Sequence, residues 1–177
     1  MRINFFAGPC AGKSTMAAWL FSSLKERQVS VELVTEYVKV WATQKRPVNQ
    51  FDQVYLFGKQ MQYEYRFLSA GIDHIVTDSP TLLSGVYADF YYKDIDIARH
   101  IDEINKQYEA KYPSFNIFLE RKDKPYNEQA RYQTRDQAVQ IDEMIRKKIK
   151  ATYPYDSLLF ADYGDKETIL NAVLEKI

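Results

Sequence analysis

Residues 7–14 read Ala-Gly-Pro-Cys-Ala-Gly-Lys-Ser. Glycines, a lysine and a hydroxyl at this spacing suit the binding of a phosphorylated ligand. Gly8 and Gly12 allow backbone geometry and a close approach that a side chain would block. The amides of such a loop converge on one point, and the helix behind it adds its positive end. Gly8, Pro9, Cys10, Ala11, Gly12, Lys13, Ser14 and Thr15 are therefore expected to surround the phosphates. Lys13 can reach the β- and γ-phosphates, and the Ser14 hydroxyl can ligate Mg2+. Ala7 stands where the first glycine of the motif usually falls. The competing reading is a chance match in a turn, and the flanking sequence argues against it.

That flanking sequence supplies the required strand and helix. Arg2–Phe6 is a short apolar strand, and Met16, Leu20 and Leu24 recur at helical spacing to about residue 28. A second strand is expected over Val29–Thr35 and a helix over Glu36–Thr43. Pro47 marks a loop, and a long aromatic-rich helix follows from Phe51 to Leu68. His74–Thr77 reads as a third strand delivering Asp78, with helices expected over Thr81–Tyr92 and Ile97–Tyr112. Phe115–Leu119 and Ser157–Ala161 read as strands four and five. Thr134-Arg135-Asp136-Gln137 has the capping-box pattern, and Ile141, Ile145 and Ile149 continue it as a helix stripe. Ile169, Leu170, Val173 and Leu174 give a last amphipathic helix. Strands alternating with helices imply a parallel sheet with right-handed crossovers, covered on both faces.

The chain of 177 residues has the length of one domain, and 46% hydrophobic with 27% charged residues is a globular balance. Twenty-four basic residues against twenty-four acidic ones argue against a coat for nucleic acid. One cysteine excludes an internal disulfide. His74 and His100 are too few and too far apart for a metal site. A leader ahead of the loop is not expected, and no apolar run approaches a membrane span. A cytoplasmic location is expected, the host cytoplasm if the chain is phage-encoded. The sequence has no Asn-Lys-x-Asp for guanine, no Asp-x-x-Gly after the third strand and no apolar run ending in Asp-Glu. With GTPases and large mechanochemical ATPases set aside, a small kinase remains.

The anchors Ala7–Ser14, Thr35-Glu36-Tyr37, Gln62-Tyr63, Thr77-Asp78 and Tyr126-Asn127 with Arg131 span nearly the whole chain. Together they resemble the P-loop nucleoside and nucleotide kinases, and among them the ribosylnicotinamide-kinase branch with its phage kinase-like members. Only the first anchor is highly specific. The resemblance implies an α/β, three-layer P-loop kinase fold over residues 1–177. Its five-stranded parallel sheet is expected in the order 2-3-1-4-5, with a lid at about 121–135. ATP and Mg2+ are the implied cofactors, a nucleoside or nucleotide the substrate, and a homodimer the assembly seen in many relatives.

Roles follow from the chemistry of phosphoryl transfer, which needs positioning, charge neutralisation and an oriented hydroxyl. Glu36 resembles the carboxylate that orients or deprotonates the acceptor; alternatively it is a helix-start acid. Asp78 could hold Mg2+ through water or take the acceptor hydroxyl, or it could cap the helix near Thr81. Gln62 could read a base edge with Tyr63 and Trp41 stacking on it, or the aromatics could be core. The basic lid makes Arg131 the first choice and Arg121 the second for the transferring phosphoryl group, with Arg135 near the substrate. Asp162-Tyr163-Gly164 is expected to border the adenine by analogy.

Three functions compete. The first is an ATP- and Mg2+-dependent kinase acting on a nucleoside-like or nucleotide-like hydroxyl. The second moves that reaction onto DNA, at a 5-hydroxymethyl-pyrimidine, and zero net charge counts against it. The third is a nucleotide-binding regulatory module without turnover.

Overall fold

The computed structural model describes residues 1–93, 96–122 and 132–177. Five strands form one parallel sheet: β1 (Arg2–Phe6), β2 (Val31–Val34), β3 (His74–Thr77), β4 (Ser114–Glu120) and β5 (Leu158–Asp162). Their order is β2-β3-β1-β4-β5, as expected. The helices are α1 (Lys13–Glu26), α2 (Lys39–Thr43), α3 (Asp52–Ser69), α4 (Leu82–Tyr91), α5 (Ile97–Lys111), α6 (Arg135–Thr152) and α7 (Lys166–Leu174). This is the three-layer P-loop kinase fold. Among the described residues, no helix is long and apolar enough to cross a membrane.

β1 is central because it pairs with β3 on one side and β4 on the other. All its residues are buried, and its side chains alternate between the two faces. Ile3 and Phe5 pack with Leu20 of α1, Ile117 and Leu119 of β4, and Ile169 and Val173 of α7. Phe6 joins Phe118 with Leu83 and Val86 of α4 and Ile141, Ile145 and Ile149 of α6. Truncating a fully buried residue such as Leu20 to Ala would cost about 2–5 kcal/mol.

The second face also buries polar groups. Asn4 Nδ2 donates to Asn116 Oδ1 at 2.8 Å. Arg2 donates to the Tyr112 carbonyl at 2.8 Å, to Glu64 of α3 at 3.3 Å and to Glu109 of α5. Arg2 and Glu64 are both essentially inaccessible to water.

Most boundaries shift by a residue, and the starts of β2 and α2 shift further. β2 begins at Val31 rather than Val29, because Gln28 turns the chain with φ 61° after α1. α2 begins at Lys39, so Glu36 lies in the loop between β2 and α2. The capping box is present as expected: Gln137 N donates to Thr134 Oγ1 at 3.3 Å and Thr134 N to Gln137 Oε1 at 3.0 Å. Of the expected lid at 121–135, residues 123–131 lie outside the described residues.

Candidate functional site

The loop of residues 7–12 leaves β1 at the C-terminal edge of the sheet and opens directly into α1. Cys10 (φ 61°) and Gly12 (φ 94°) adopt left-handed backbone, which helps turn successive amides toward one concavity. Gly12 caps α1 without a side-chain hydrogen bond, and the first turn of α1 carries no acid. The partial positive charge of that helix start favours an anion. Both glycines are required by space. A Cβ on Gly8 would lie 2.7 Å from the Ala138 carbonyl, and one on Gly12 would lie 2.2 Å from Tyr163 Cε2.

Lys13 folds over this loop. Its Nζ donates to the carbonyls of Ala7 at 2.8 Å and Gly8 at 3.0 Å. The charge therefore sits at the loop, where a phosphate oxygen could take over part of its coordination.

Asp142 of α6 reaches the same place. Its Oδ1 accepts from Gly8 N at 2.5 Å and its Oδ2 from Arg121 Nε at 2.5 Å. Arg121 Nη2 would lie 3.1 Å from a Cβ on Gly8, and it has no hydrogen-bond partner among the described residues although it is buried. Leaving such a donor unsatisfied costs about 1–3 kcal/mol, more for a charged group. The Arg121 expected to touch phosphate thus lies beside the loop. Asp142 escaped the sequence reading because a polar residue among helical isoleucines carries no local signal.

A cavity of about 670 Å³ opens from the loop. Its walls include residues 9–15, Glu36 and Tyr37 after β2, and Gln53, Leu56 and Gln60 of α3. Ser79, the α4 side chains Leu83, Ser84, Tyr87 and Tyr91, and then Tyr92, Tyr132 and Gln133 complete much of the rest. The volume suits a small organic ligand. Several tyrosines are tied in place. Tyr92 donates to the Val48 carbonyl at 2.7 Å, Gln133 Nε2 donates to Tyr91 Oη at 2.8 Å, and Tyr132 donates to the Arg46 carbonyl. Burial raises the phenol pKa values of Tyr91, Tyr92 and Tyr132, so all three stay neutral at physiological pH.

The expected acidic groups fall at this edge of the sheet. Glu36 lines the cavity, and α2 has no acid in its first turn, so Glu36 is no helix-start acid. Asp78 follows β3, is 3% exposed, and its Oδ1 has no hydrogen-bond partner among the described residues. The helix-cap alternative for Asp78 is set aside, because Thr81 caps α4 with no side-chain hydrogen bond. A buried carboxylate oxygen lacking a donor fits a water or a hydrated cation. No group of three or more His, Cys, Asp and Glu side chains forms a metal cage among the described residues. Mg2+ in phosphate sites takes one or two side chains and keeps waters and substrate oxygens. Ser14, in the cavity wall, and Asp78 are the residues present for it.

The expected base-reading group needs correction. Gln62 is exposed and accepts from Lys59 Nζ at 3.3 Å, away from the cavity wall. The amides of α3 that line the cavity are Gln53 and Gln60, seven residues and about two turns apart. Gln60 Oε1 accepts from Tyr37 N at 3.1 Å, while its buried Nε2 has no partner among the described residues. Trp41 and Tyr63 are also outside the wall. Trp41 is 4% exposed and stacks on Tyr55 at 5.8 Å, and Tyr63 meets Tyr37 edge-on at 5.5 Å. They back Tyr37, which does line the cavity. Arg135 starts α6 as an exposed residue and lies outside the wall. Arg131 lies outside the described residues. Tyr163, expected near adenine, packs on Gly12 instead of lining the cavity.

A sequence-family model described as AAA domain matches residues 2–165. The chain belongs to this AAA domain family. No curated protein sequence matches it. Solved structures share the fold of this AAA domain member at low identity. Deoxyadenosine kinase from M. mycoides, with the products dCMP and a flexible dCDP bound, has a TM-score of 0.60 at 15% identity. The likeness covers 99% of this chain and 98% of that one. The NadR protein in complex with NAD and AMP-PNP has a TM-score of 0.67 at 13% identity, over 98% of this chain and 48% of that one. At such identities the AAA domain chain shares architecture with these proteins, and its chemistry has to be argued from its own residues.

Proposed function

We propose that the chain is a kinase that moves the γ-phosphoryl group of ATP to a hydroxyl of a nucleoside or nucleotide-like molecule. The observation that carries this reading is the phosphate loop opening into a tyrosine-lined cavity large enough for an acceptor. Deoxyadenosine kinase and NadR, the fold neighbours, hold nucleotides, which agrees with it. The loop amides and Lys13 hold the phosphates. Glu36 orients the acceptor hydroxyl and takes its proton as the oxygen attacks phosphorus. Lys13 and Arg121, with Arg131, neutralise charge on the group in transit. Gln60 and Gln53 offer amides to the acceptor, between Tyr37 and the α4 tyrosines. Mg2+, held by Ser14 and through water by Asp78, would neutralise phosphate charge when bound.

The test is an ADP-release screen across nucleosides, nucleoside monophosphates, ribosylnicotinamide and hydroxymethyluracil-containing DNA, with Lys13→Ala as control. One small acceptor should stimulate ADP release, and Lys13→Ala should lower that rate about 10²–10³-fold while keeping a native circular dichroism spectrum. Stimulation by the DNA alone would move the acceptor onto a polymer. Nucleotide binding without acceptor-dependent release would make the chain a regulatory module.

A further inference from the structure

The loop region carries a negative charge of its own. Asp142 uses one oxygen on Gly8 N and the other on Arg121 Nε, each at 2.5 Å. A carboxylate beside a phosphate site opposes an anionic ligand unless a cation answers it. Arg121 answers it, and both side chains are largely buried at 18% and 15% exposure. The pairing also orients the cation. A long arginine side chain loses considerable rotamer freedom when it is fixed, and here one carboxylate does the fixing. Arg121 Nη2 is left against Gly8, buried and with no acceptor among the described residues. An ionised donor in that position calls for an oxygen anion at the loop, and a guanidinium suits phosphate oxygens.

We propose that Asp142 is a positioning residue for phosphoryl transfer: it clamps Arg121 to the phosphate loop so that Nη2 is presented to a phosphate oxygen, and Arg121 in return masks its charge. The inference rests on the kinase reading above. It assigns Asp142 no contact with substrate. Its effect passes through Arg121.

Mutual dependence gives a signature that simple structural support would not. Asp142→Ala should lower kcat about 10–100-fold with little change in nucleotide affinity, because Arg121 loses its orientation. Arg121→Ala should weaken binding of a fluorescent ATP analogue about tenfold, since it leaves Asp142 unmasked beside the phosphates. Adding Asp142→Ala to Arg121→Ala should then recover part of that affinity, and the two losses in kcat should not multiply. Asp142→Asn, which keeps the shape and one acceptor oxygen, serves if Asp142→Ala fails to fold. It should reproduce the kcat loss. An unchanged kcat in the Asp142 variants, or losses that multiply in the double variant, would overturn the inference while leaving the kinase reading intact. A wild-type chain that binds no ATP analogue would sink the kinase reading first, and this inference with it.

Discussion

The ring of Tyr163 occupies the space that a side chain on Gly12 would need. A Cβ built there would lie 2.2 Å from Cε2 and 2.3 Å from Cδ2 of that ring. The loop after β5 thus packs on the phosphate loop at Gly12, and the Ala138 carbonyl of α6 approaches it at Gly8. Two segments distant in sequence pack on the phosphate loop.

Gly12→Ala should therefore be costly twice over. The methyl group displaces Tyr163, and the backbone at φ 94° disfavours an L side chain. We expect a loss of about 1–3 kcal/mol in stability and a weaker hold on nucleotide. Chemical denaturation and nucleotide titration check both. Combining it with Tyr163→Ala should return only the steric share, leaving the backbone strain.

Glu36→Gln keeps the size of a cavity-wall side chain and removes its basicity. If Glu36 takes the acceptor proton, kcat should fall about 10²–10⁴-fold with nucleotide affinity unchanged. A normal rate in steady-state assays would remove it from the mechanism.

Gln60→Leu should raise the acceptor KM by about tenfold or more, because a buried amide that lines the cavity is replaced by an apolar group of similar size. Gln62→Leu, two residues along the same helix but exposed, should leave the acceptor KM unchanged. Equal effects at the two positions would contradict the placement of α3.

Glu64 gives a pH test of the fold. Burial pushes its pKa up to about 7, against the pull of the Arg2 guanidinium, which Glu109 also shares. An unfolded glutamate titrates near 4.5, so between these values the folded chain binds the extra proton. The stabilisation is complete below about pH 4.5 and is lost as pH rises through about 7. Its span is roughly 3 kcal/mol. Glu64→Gln should flatten this component, so urea midpoints for wild type and variant should converge at low pH and separate with a different slope toward pH 8.

Much of this architecture is written locally in the chain. The phosphate loop is contiguous and strand–helix alternation points to a parallel sheet, so Lys13 and the fold class could be read directly, while the order 2-3-1-4-5 came from the resemblance to P-loop kinases. Helix phase was harder. Gln60 and Gln62 are both amides on α3, yet two residues rotate the side chain by about 200°, and only packing against Tyr37 decides which one enters the cavity. Glu36 posed a milder form of the problem, since α2 starts three residues later than its apolar pattern suggests. Asp142 was illegible for another reason. Its partners Gly8 and Arg121 are 134 and 21 residues away, and no spacing rule connects them.

The pairing of β1 bears on how the polypeptide matures. Asn4 meets Asn116 across 112 residues, and Gly8 waits for Asp142 further still. The turn at Gly8 thus depends for part of its scaffold on a segment far along the sequence. Such remote closures make for slow folding. A ligand that engages this turn only in its finished geometry would stabilise the folded molecule by mass action.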